Sequence, residues 1–205
     1  VVPKTPSCGS LAIDDVVVEG ESPSAVVAGE FNTLGEVLAA GFDTEAEYTF
    51  KGEAIVSHFD AASHTAYLQD ATAGAALVLP AGVSLATGDK VKDVPCTVAV
   101  KDGAATLTLN AQTIAPTESG VALPATPVTI AELAAAPATY FGKLIVLDGV
   151  RLQNVEAGDV FEEDMEYTLT DEAGNTAALR VFADGALLDE EAPTEKLKVT
   201  GVATS

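Results

Sequence analysis

One phrase is written twice in this chain, 96 positions apart. Residues 33–41 read TLGEVLAAG, and residues 129–137 read TIAELAAAP. In each copy a glutamate follows a threonine by three residues, which is the capping box that satisfies backbone N–H groups at a helix start. Apolar residues then recur at helical spacing, and Gly41 or Pro137 is expected to end the helix. The sequence therefore predicts two helices of about two turns, at equivalent places in two related units.

The similarity continues beyond each copy of the phrase. Several β-rich stretches recur in the same order, and their offset drifts from 96 to 106, which places the insertions in loops, where they are tolerated. The matched stretches are 47–59 with 140–155, where Gly52 falls on Gly149; 67–74 (YLQDATAG) with 167–174 (YTLTDEAG); 77–82 with 179–185; and 90–99 with 196–205. Repetition in this order indicates a duplicated unit.

Five strand-like segments follow the first helix, separated by short turn signals. They lie near 48–58, 64–70, 75–80, 90–100 and 105–114. Five strands in so short a stretch favour a small closed barrel of the OB type, with a glycine at the bend of the long first strand. We predict an all-β fold with short helices: two tandem OB-fold-like small β-barrels, each preceded by a short capping helix. A small β-sandwich is the main alternative.

The repeat also sets the predicted domain boundaries. Unit 1 covers 31–115, a Pro- and Thr-containing linker covers 116–127, and unit 2 covers 128–205. Residues 1–30 form an N-terminal segment that contains a strand-like stretch, LAIDDVVVEG, at 11–20. The printed unit 2 has no segment for a fifth strand, so either its barrel is open or the N-terminal segment pairs with it. The linker is either an extended spacer or lies against a barrel.

Composition excludes some classes of partner. The chain has 31 acidic and 10 basic residues, for a net charge of −21. Nucleic-acid binders depend on Lys and Arg to release counterions, so nucleic acid is not an expected partner, and anionic membrane surfaces are disfavoured for the same reason. No apolar run is long enough for a transmembrane helix. The first residues, VVPKTPSCGS, lack the pattern of a signal peptide, as expected for a mature or trimmed chain.

The repeated helix phrase, followed by a strand and a Y-[LI]-Q-D-x-T-x-G motif, resembles a family of OB-like domains of unknown function. That family occurs in exported and lipid-anchored surface proteins of Bacteroides-type bacteria. The resemblance covers residues 30–115 and 127–205, and the second copy departs from the motif at YTLTDEAG, so any role of Gln69 is not shared. The best-matching residues are Thr129, Ile130, Glu132, Leu133, Tyr67, Leu68, Gln69, Asp70, Thr72 and Gly74.

This resemblance implies a location and a broad role. It implies an extracytoplasmic protein in the cell envelope or on the outer-membrane surface of a Gram-negative bacterium. A lipid anchor upstream of the printed chain is left open. It also implies a non-catalytic accessory or binding role, with no assigned chemistry.

Two groups of residues are candidates for metal binding. His58, Asp60 and His64 lie close in sequence, although pairing of Phe59 with His64 would place the two imidazoles on opposite faces of a hairpin. Two solvent-facing histidines are the favoured interpretation. An acidic run spans 156–172, and its centre could supply carboxylates for Ca²⁺, although a solvated acidic loop is favoured. The calcium candidates are Asp159, Glu162, Glu163 and Asp164.

Other chemistry has little support in the sequence. Cys8 and Cys96 form either a disulfide or two buried thiols. No catalytic motif occurs, so the protein is not expected to be an enzyme. Trp is absent, and Tyr67 and Tyr167 are interpreted as shared scaffold, so few aromatic rings are left to stack on sugars. A glycan site would depend on hydrogen bonds, with Asn110, Gln112, Gln153 and Asn154 as candidates.

These observations together favour an exported, non-catalytic envelope module that binds an unidentified protein or glycan. The first alternative is an accessory carbohydrate-binding protein for polysaccharide capture. The second is OB-fold binding of single-stranded nucleic acid, which the negative charge opposes.

Overall fold

The computed structural model describes residues 29–39, 41–163, 165–182 and 187–204. We call residues 29–115 the first half and residues 126–204 the second half. The first half contains β1 (Glu30–Phe31), α1 (Leu34–Ala39), β2 (Tyr48–Asp60), β3 (Thr65–Gln69), β4 (Gly74–Val78), β5 (Lys90–Lys101) and β6 (Ala104–Leu109). The second half contains β7 (Thr126–Pro127), α2 (Ile130–Ala135), α3 (Pro137–Tyr140), β8 (Leu144–Leu152), β9 (Glu166–Thr170), β10 (Thr176–Arg180) and β11 (Leu197–Val202).

The first half is a closed five-stranded β-barrel. Its strands follow the order β2-β3-β4-β6-β5, and β5 pairs back onto β2 to close the circle. β6 runs parallel to β4 and antiparallel to β5, while the remaining barrel pairs are antiparallel. The predicted mostly-β fold with short helices and a small barrel is confirmed to this extent.

Alternating strand residues fill this barrel. Side chains of all five strands meet in one cluster, and α1 covers it with Leu34 and Val37, both fully buried. Large members of the cluster include Phe31, Tyr48, Phe50, Leu68 and Leu77, each at most 2% exposed. Burying a side chain of this size contributes roughly 1.5–3 kcal/mol, so this core is the main source of the first half's stability.

Both predicted bend glycines lie at an irregularity in a long strand. The β2–β5 register shifts between Phe50 and Glu53, and a Cβ on Gly52 would lie 1.9 Å from the carbonyl oxygen of Asn32. The β8–β11 register shifts beside Gly149, which has φ +72° and no atom near a built Cβ. The first glycine permits a close backbone approach, and the second permits a left-handed conformation.

The second half is a smaller sheet of order β10-β9-β8-β11, with β7 parallel to β8. Within the described part of the chain, no strand joins β10 to β11, so both are edge strands. The core here consists of Val128, Ile130, Ile145, Leu147, Val150, Leu169 and Ala203.

The helix ends differ from the predictions in two details. The predicted capping box is present at α2, where Thr129 and Glu132 bind each other's backbone N–H. At α1 the glutamate reaches back one residue further, because Glu36 Oε2 accepts from Asn32 N. α2 ends at Ala135, before Pro137 as predicted, but Pro137 then begins a further helix, α3, since proline lacks only an N–H that has no partner in a first turn.

The predicted linker lies against the first barrel. Thr117 N donates to Lys90 O, Lys90 N donates to Glu118 O, and Val121 N donates to Gly88 O, each at 2.8–2.9 Å. Lys90 Nζ also forms an ion pair with Glu118 at 2.9 Å. The alternative of an extended spacer is therefore wrong for residues 117–121.

The predicted strand at 11–20 and the residue Cys8 lie outside the described residues. Within the described ranges, no helix is both long and apolar enough to cross a membrane.

Candidate functional site

The YLQDATAG motif forms the β3–β4 connection and caps α1. Asp70 Oδ2 accepts from Leu34 N at 2.7 Å, and Thr72 Oγ1 accepts from Gly35 N at 2.8 Å. The other Asp70 oxygen accepts from Thr72 N, Thr72 Oγ1 and Ala73 N at 2.6–2.8 Å. A carboxylate at a helix start satisfies N–H groups that have no partner within the helix. These two motif residues therefore have a structural role.

The same motif carries the contact between the two halves. Leu144 N, at the start of β8, donates to Gln69 Oε1 at 2.8 Å. Ser57 Oγ, on β2, donates to Gly142 O at 2.7 Å, and Ser57 is only 3% exposed. A Cβ on Gly74 would lie 2.1 Å from the carbonyl oxygen of Phe141, so only glycine permits this approach. We call this group the half–half contact.

Aromatic rings extend the half–half contact. The His58 ring lies 4.6 Å from the ring of Phe182 and 6.4 Å from that of Tyr67, and Tyr67 packs edge-on against Phe141 at 6.1 Å. His58 is half-buried, and its Nε2 is buried without a hydrogen-bond partner. The expectation of two solvent-facing histidines is therefore wrong for His58, because the second half covers its ring.

The hairpin that carries the two histidines has a register different from the predicted one. Phe59 pairs with Ala66, and a four-residue turn at 61–64 places His64 in a left-handed conformation, exposed to solvent. The Asp60 carboxylate accepts from Ala62 N and Ser63 Oγ within this turn. Partial burial raises the pKa of Asp60, but hydrogen bonds from Ser63 and Ala62 outweigh that effect and hold the pKa below its usual value. Asp60 thus shapes the turn.

The two motif tyrosines occupy different positions. The ladders pair Leu68 with Val56, and Leu169 with Leu152, and both Leu68 and Leu169 are fully buried. Leu68 therefore corresponds to Leu169, one residue out of step with the sequence match, and such a shift reverses the side-chain faces. Tyr167 packs on Phe161 at 5.1 Å, and its hydroxyl accepts from Glu162 N at 2.8 Å. The prediction of one shared scaffold role for Tyr67 and Tyr167 is wrong.

The acidic run is partly engaged with its own backbone. Asp159 Oδ2 accepts from Glu156 N at 2.8 Å, and Glu191 Oε1 accepts from Gly158 N at 3.3 Å. Glu162 and Glu163 are exposed, while Asp164 lies outside the described residues. The described ranges hold no group of three or more His, Cys, Asp or Glu residues arranged for a metal ion. The His58, Asp60 and His64 set and the calcium set therefore gain no geometric support.

Two further acidic residues stabilise the β9–β10 connection and its neighbour. Asp171 accepts from the backbone N–H and the side-chain amide of Asn175, both at 2.8 Å, and these hydrogen bonds lower the pKa of the Asp171 carboxyl. Glu172 forms an ion pair with Lys196, which lowers the pKa of Glu172. Both groups are ionised at neutral pH and serve the local fold.

One cleft in the second half combines apolar walls with polar groups. Its volume is about 480 Å³, and it lies between the start of α2 and strand β8. Glu132 is already held there by the capping box, and the backbone N–H of Thr129 lowers its pKa. The cleft is lined by Pro127, Val128, Thr129, Ile130, Glu132, Val146, Leu147, Asp148, Val150, Asp171 and Lys198. Sequence reasoning missed this cleft, because its lining residues come from separate segments.

The four amide candidates for a hydrogen-bonded glycan site do not line this cleft. All four are exposed, with Asn110 and Gln112 in the first half and Gln153 and Asn154 in the second.

Cys96 is a fully buried free thiol on β5. Burial raises its pKa to about 11, so only about one thiol in a thousand is ionised at pH 8. In a Cys8→Ser variant, we expect a thiol reagent to label Cys96 at least about 100-fold more slowly in buffer than in 6 M urea. Comparable rates in the two solutions would mean that Cys96 is accessible in the folded protein.

No protein-family model matches the chain, and no curated protein matches it either.

Proposed function

We propose that this protein is a non-catalytic module of a Gram-negative cell envelope, exported and acting in adhesion or as a scaffold for another protein. The observation that carries this proposal is the half–half contact. The polar motif residues that could have formed a ligand site instead cap α1 and join the halves, as Asp70, Thr72 and Gln69 do. Two halves joined by such a contact present their loops in a fixed arrangement. Such an arrangement suits a protein whose function is to hold partners.

We further propose that both halves are OB-like units derived from one duplicated segment. Two pairings support this. Val56–Leu68 corresponds to Leu152–Leu169, and Ala54–Val91 corresponds to Val150–Leu197. The spacing between the bend glycines, Gly52 and Gly149, is one residue longer than the spacing between these paired residues of β2 and β8. A β-bulge tolerates a one-residue difference of this kind.

The second candidate function is polysaccharide capture, favoured by the cleft in the second half. Its apolar wall and the polar groups Asp148, Asp171 and Lys198 provide the mixed lining that small-ligand sites share. Binding of single-stranded nucleic acid is the weakest candidate, because a net charge of −21 repels phosphate.

A glycan array and a single-stranded DNA titration at low salt test these alternatives together. We expect no binding to plant, host or microbial glycans. We also expect that the dissociation constant for single-stranded DNA stays above about 10 µM, even at 20 mM salt. Asp148→Asn and Lys198→Gln variants identify the cleft if a glycan signal appears. A signal that both variants abolish would replace the scaffold proposal with polysaccharide capture, and tight DNA binding would overturn the charge argument.

A further inference from the structure

The cleft between the start of α2 and strand β8 has a mostly apolar surface. Val146, Leu147 and Val150 line it from β8, and each is at most 8% exposed. Val128 and Ile130, on either side of the α2 N-cap, line it as well and are also buried. The volume of about 480 Å³ lies within the roughly 300–1,000 Å³ of small-ligand sites. An aliphatic side chain that enters the cleft would therefore be removed from water by these walls.

Carboxylates outnumber amines in this lining. The charged members are Glu132, Asp148, Asp171 and Lys198. Glu132 and Asp171 accept backbone N–H groups, so their charges are held in place. Asp148 is exposed, and its carboxylate has no hydrogen bond or ion pair within the described residues, although Lys198 lies opposite it on β11. The cleft therefore carries a net negative charge and has one carboxylate free to bind a ligand.

We propose that this cleft binds an arginine side chain of a partner protein. The guanidinium group pairs with the Asp148 carboxylate, and the aliphatic stem lies against the apolar walls. Arginine suits the site better than lysine, because its planar guanidinium is weakly hydrated and pairs with a carboxylate through two parallel hydrogen bonds. This inference rests on the proposed scaffold function, since it names the chemistry by which a held partner is recognised.

The charge of the whole chain favours a basic protein over other occupants. A net charge of −21 attracts a basic partner from a distance and raises the rate of association. The same charge repels an anionic glycan and a second copy of this chain. A free amino acid would place its own carboxylate among the carboxylates of Glu132, Asp148 and Asp171, which is unfavourable.

An NMR titration of the full ¹⁵N-labelled chain tests this site. The probe is Nα-acetyl-L-arginine methylamide, which presents the side chain without charged termini. We expect saturable shifts of the Asp148, Gly149 and Val150 amides, with a dissociation constant of about 1–10 mM for a ligand of this size. The matched probe is the norleucine analogue, which has an aliphatic side chain without the charge. It is expected to bind at least about fivefold more weakly.

Three substitutions of exposed residues locate the site. Asp148→Asn removes the pairing carboxylate and should weaken binding of the arginine probe at least about fivefold. Lys198→Gln removes the competing cation and should strengthen binding at least about twofold. The control is Asp102→Asn, in the β5–β6 turn, which changes the net charge equally at an aspartate that also precedes a glycine and does not line the cleft. Binding to this control should stay within about 1.5-fold of the unsubstituted chain.

Several results would overturn the proposal. They are the absence of saturable shifts at the three amides up to about 50 mM probe, equal binding of the norleucine probe, and weaker binding after Lys198→Gln. Tighter binding of free L-arginine than of the blocked probe would overturn the assignment to a protein side chain. Any of these results leaves the scaffold function standing, because that proposal names no binding surface. Polysaccharide capture is also distinguished, since Lys198→Gln abolishes a glycan signal but strengthens arginine binding.

Discussion

Gly74→Ala is expected to lower the free energy of unfolding by about 3 kcal/mol and to weaken the half–half contact. The new Cβ would lie 2.1 Å from Phe141 O and 2.9 Å from Gly142 C, and backbone atoms cannot move aside as a flexible side chain would. Overpacking usually costs 1–3 kcal/mol, and a clash with backbone belongs at the upper end of that range. Urea denaturation followed by circular dichroism measures the change.

The control for this substitution is Gly41→Ala, where the added Cβ meets no atom within 4 Å. We expect a change within about 0.5 kcal/mol there, as for most surface substitutions. Limited proteolysis adds a specific readout, because separated halves would expose the buried residues Phe141 and Gly142 to cleavage. An alanine at position 74 that leaves both stability and cleavage unchanged would mean that the halves do not pack as described.

Asp70→Ala is expected to lower the free energy of unfolding by about 3 kcal/mol. The substitution removes the acceptor for Leu34 N and for three donors of Thr72 and Ala73, so both α1 and the β3–β4 connection lose partners. A lost helix cap costs about 1 kcal/mol, and each further charge-assisted hydrogen bond adds to that cost. Thermal unfolding monitored by calorimetry measures it.

Two further variants serve as comparisons for Asp70→Ala. Asp70→Asn keeps one acceptor oxygen but presents an amide to Leu34 N, so an intermediate loss is expected. Asp171→Ala, in the β9–β10 connection, removes hydrogen bonds from Asn175 and its neighbouring backbone but no helix cap, and should cost about 1 kcal/mol. Equal losses for Asp70→Ala and Asp171→Ala would contradict the capping role of Asp70.

Local patterns predicted the local structure well. The capping phrase located α1 and α2, since a helix start is encoded by side chains that bind backbone within a few residues. Alternation and turn residues located the five strands of the closed barrel in the first half. The bends at Gly52 and Gly149 were also predicted, because a glycine inside a long strand usually marks a bulge, a bend or a close backbone approach.

Contacts between distant segments could not be predicted in this way. Gln69 and Leu144 are 75 residues apart, and nothing near either residue indicates that they meet. His58 was expected in solvent because its hairpin alone would leave it there, and Phe182 covers it from the other half. The cleft beside α2 depends on the same long-range assembly, so its lining residues carry no common motif.

The match between Tyr67 and Tyr167 failed for a different reason. The two segments were aligned by their identical tyrosines. The strand register, however, is set by the buried residues Leu68 and Leu169, and it differs by one residue from the alignment of the tyrosines. Burial of apolar side chains in the core therefore determines which residue faces inward, and sequence identity at the tyrosines does not.

The contact made by Ser57 bears on where this chain can be divided. The repeat in the sequence suggests a cut between residues 116 and 127, yet that cut would expose the Ser57 hydroxyl and the rings that pack from either side. It would also sever a segment whose backbone is bound to Lys90 and Gly88. A half expressed alone would keep one side of these contacts without the other, so we expect the two halves to be more stable in one chain than apart.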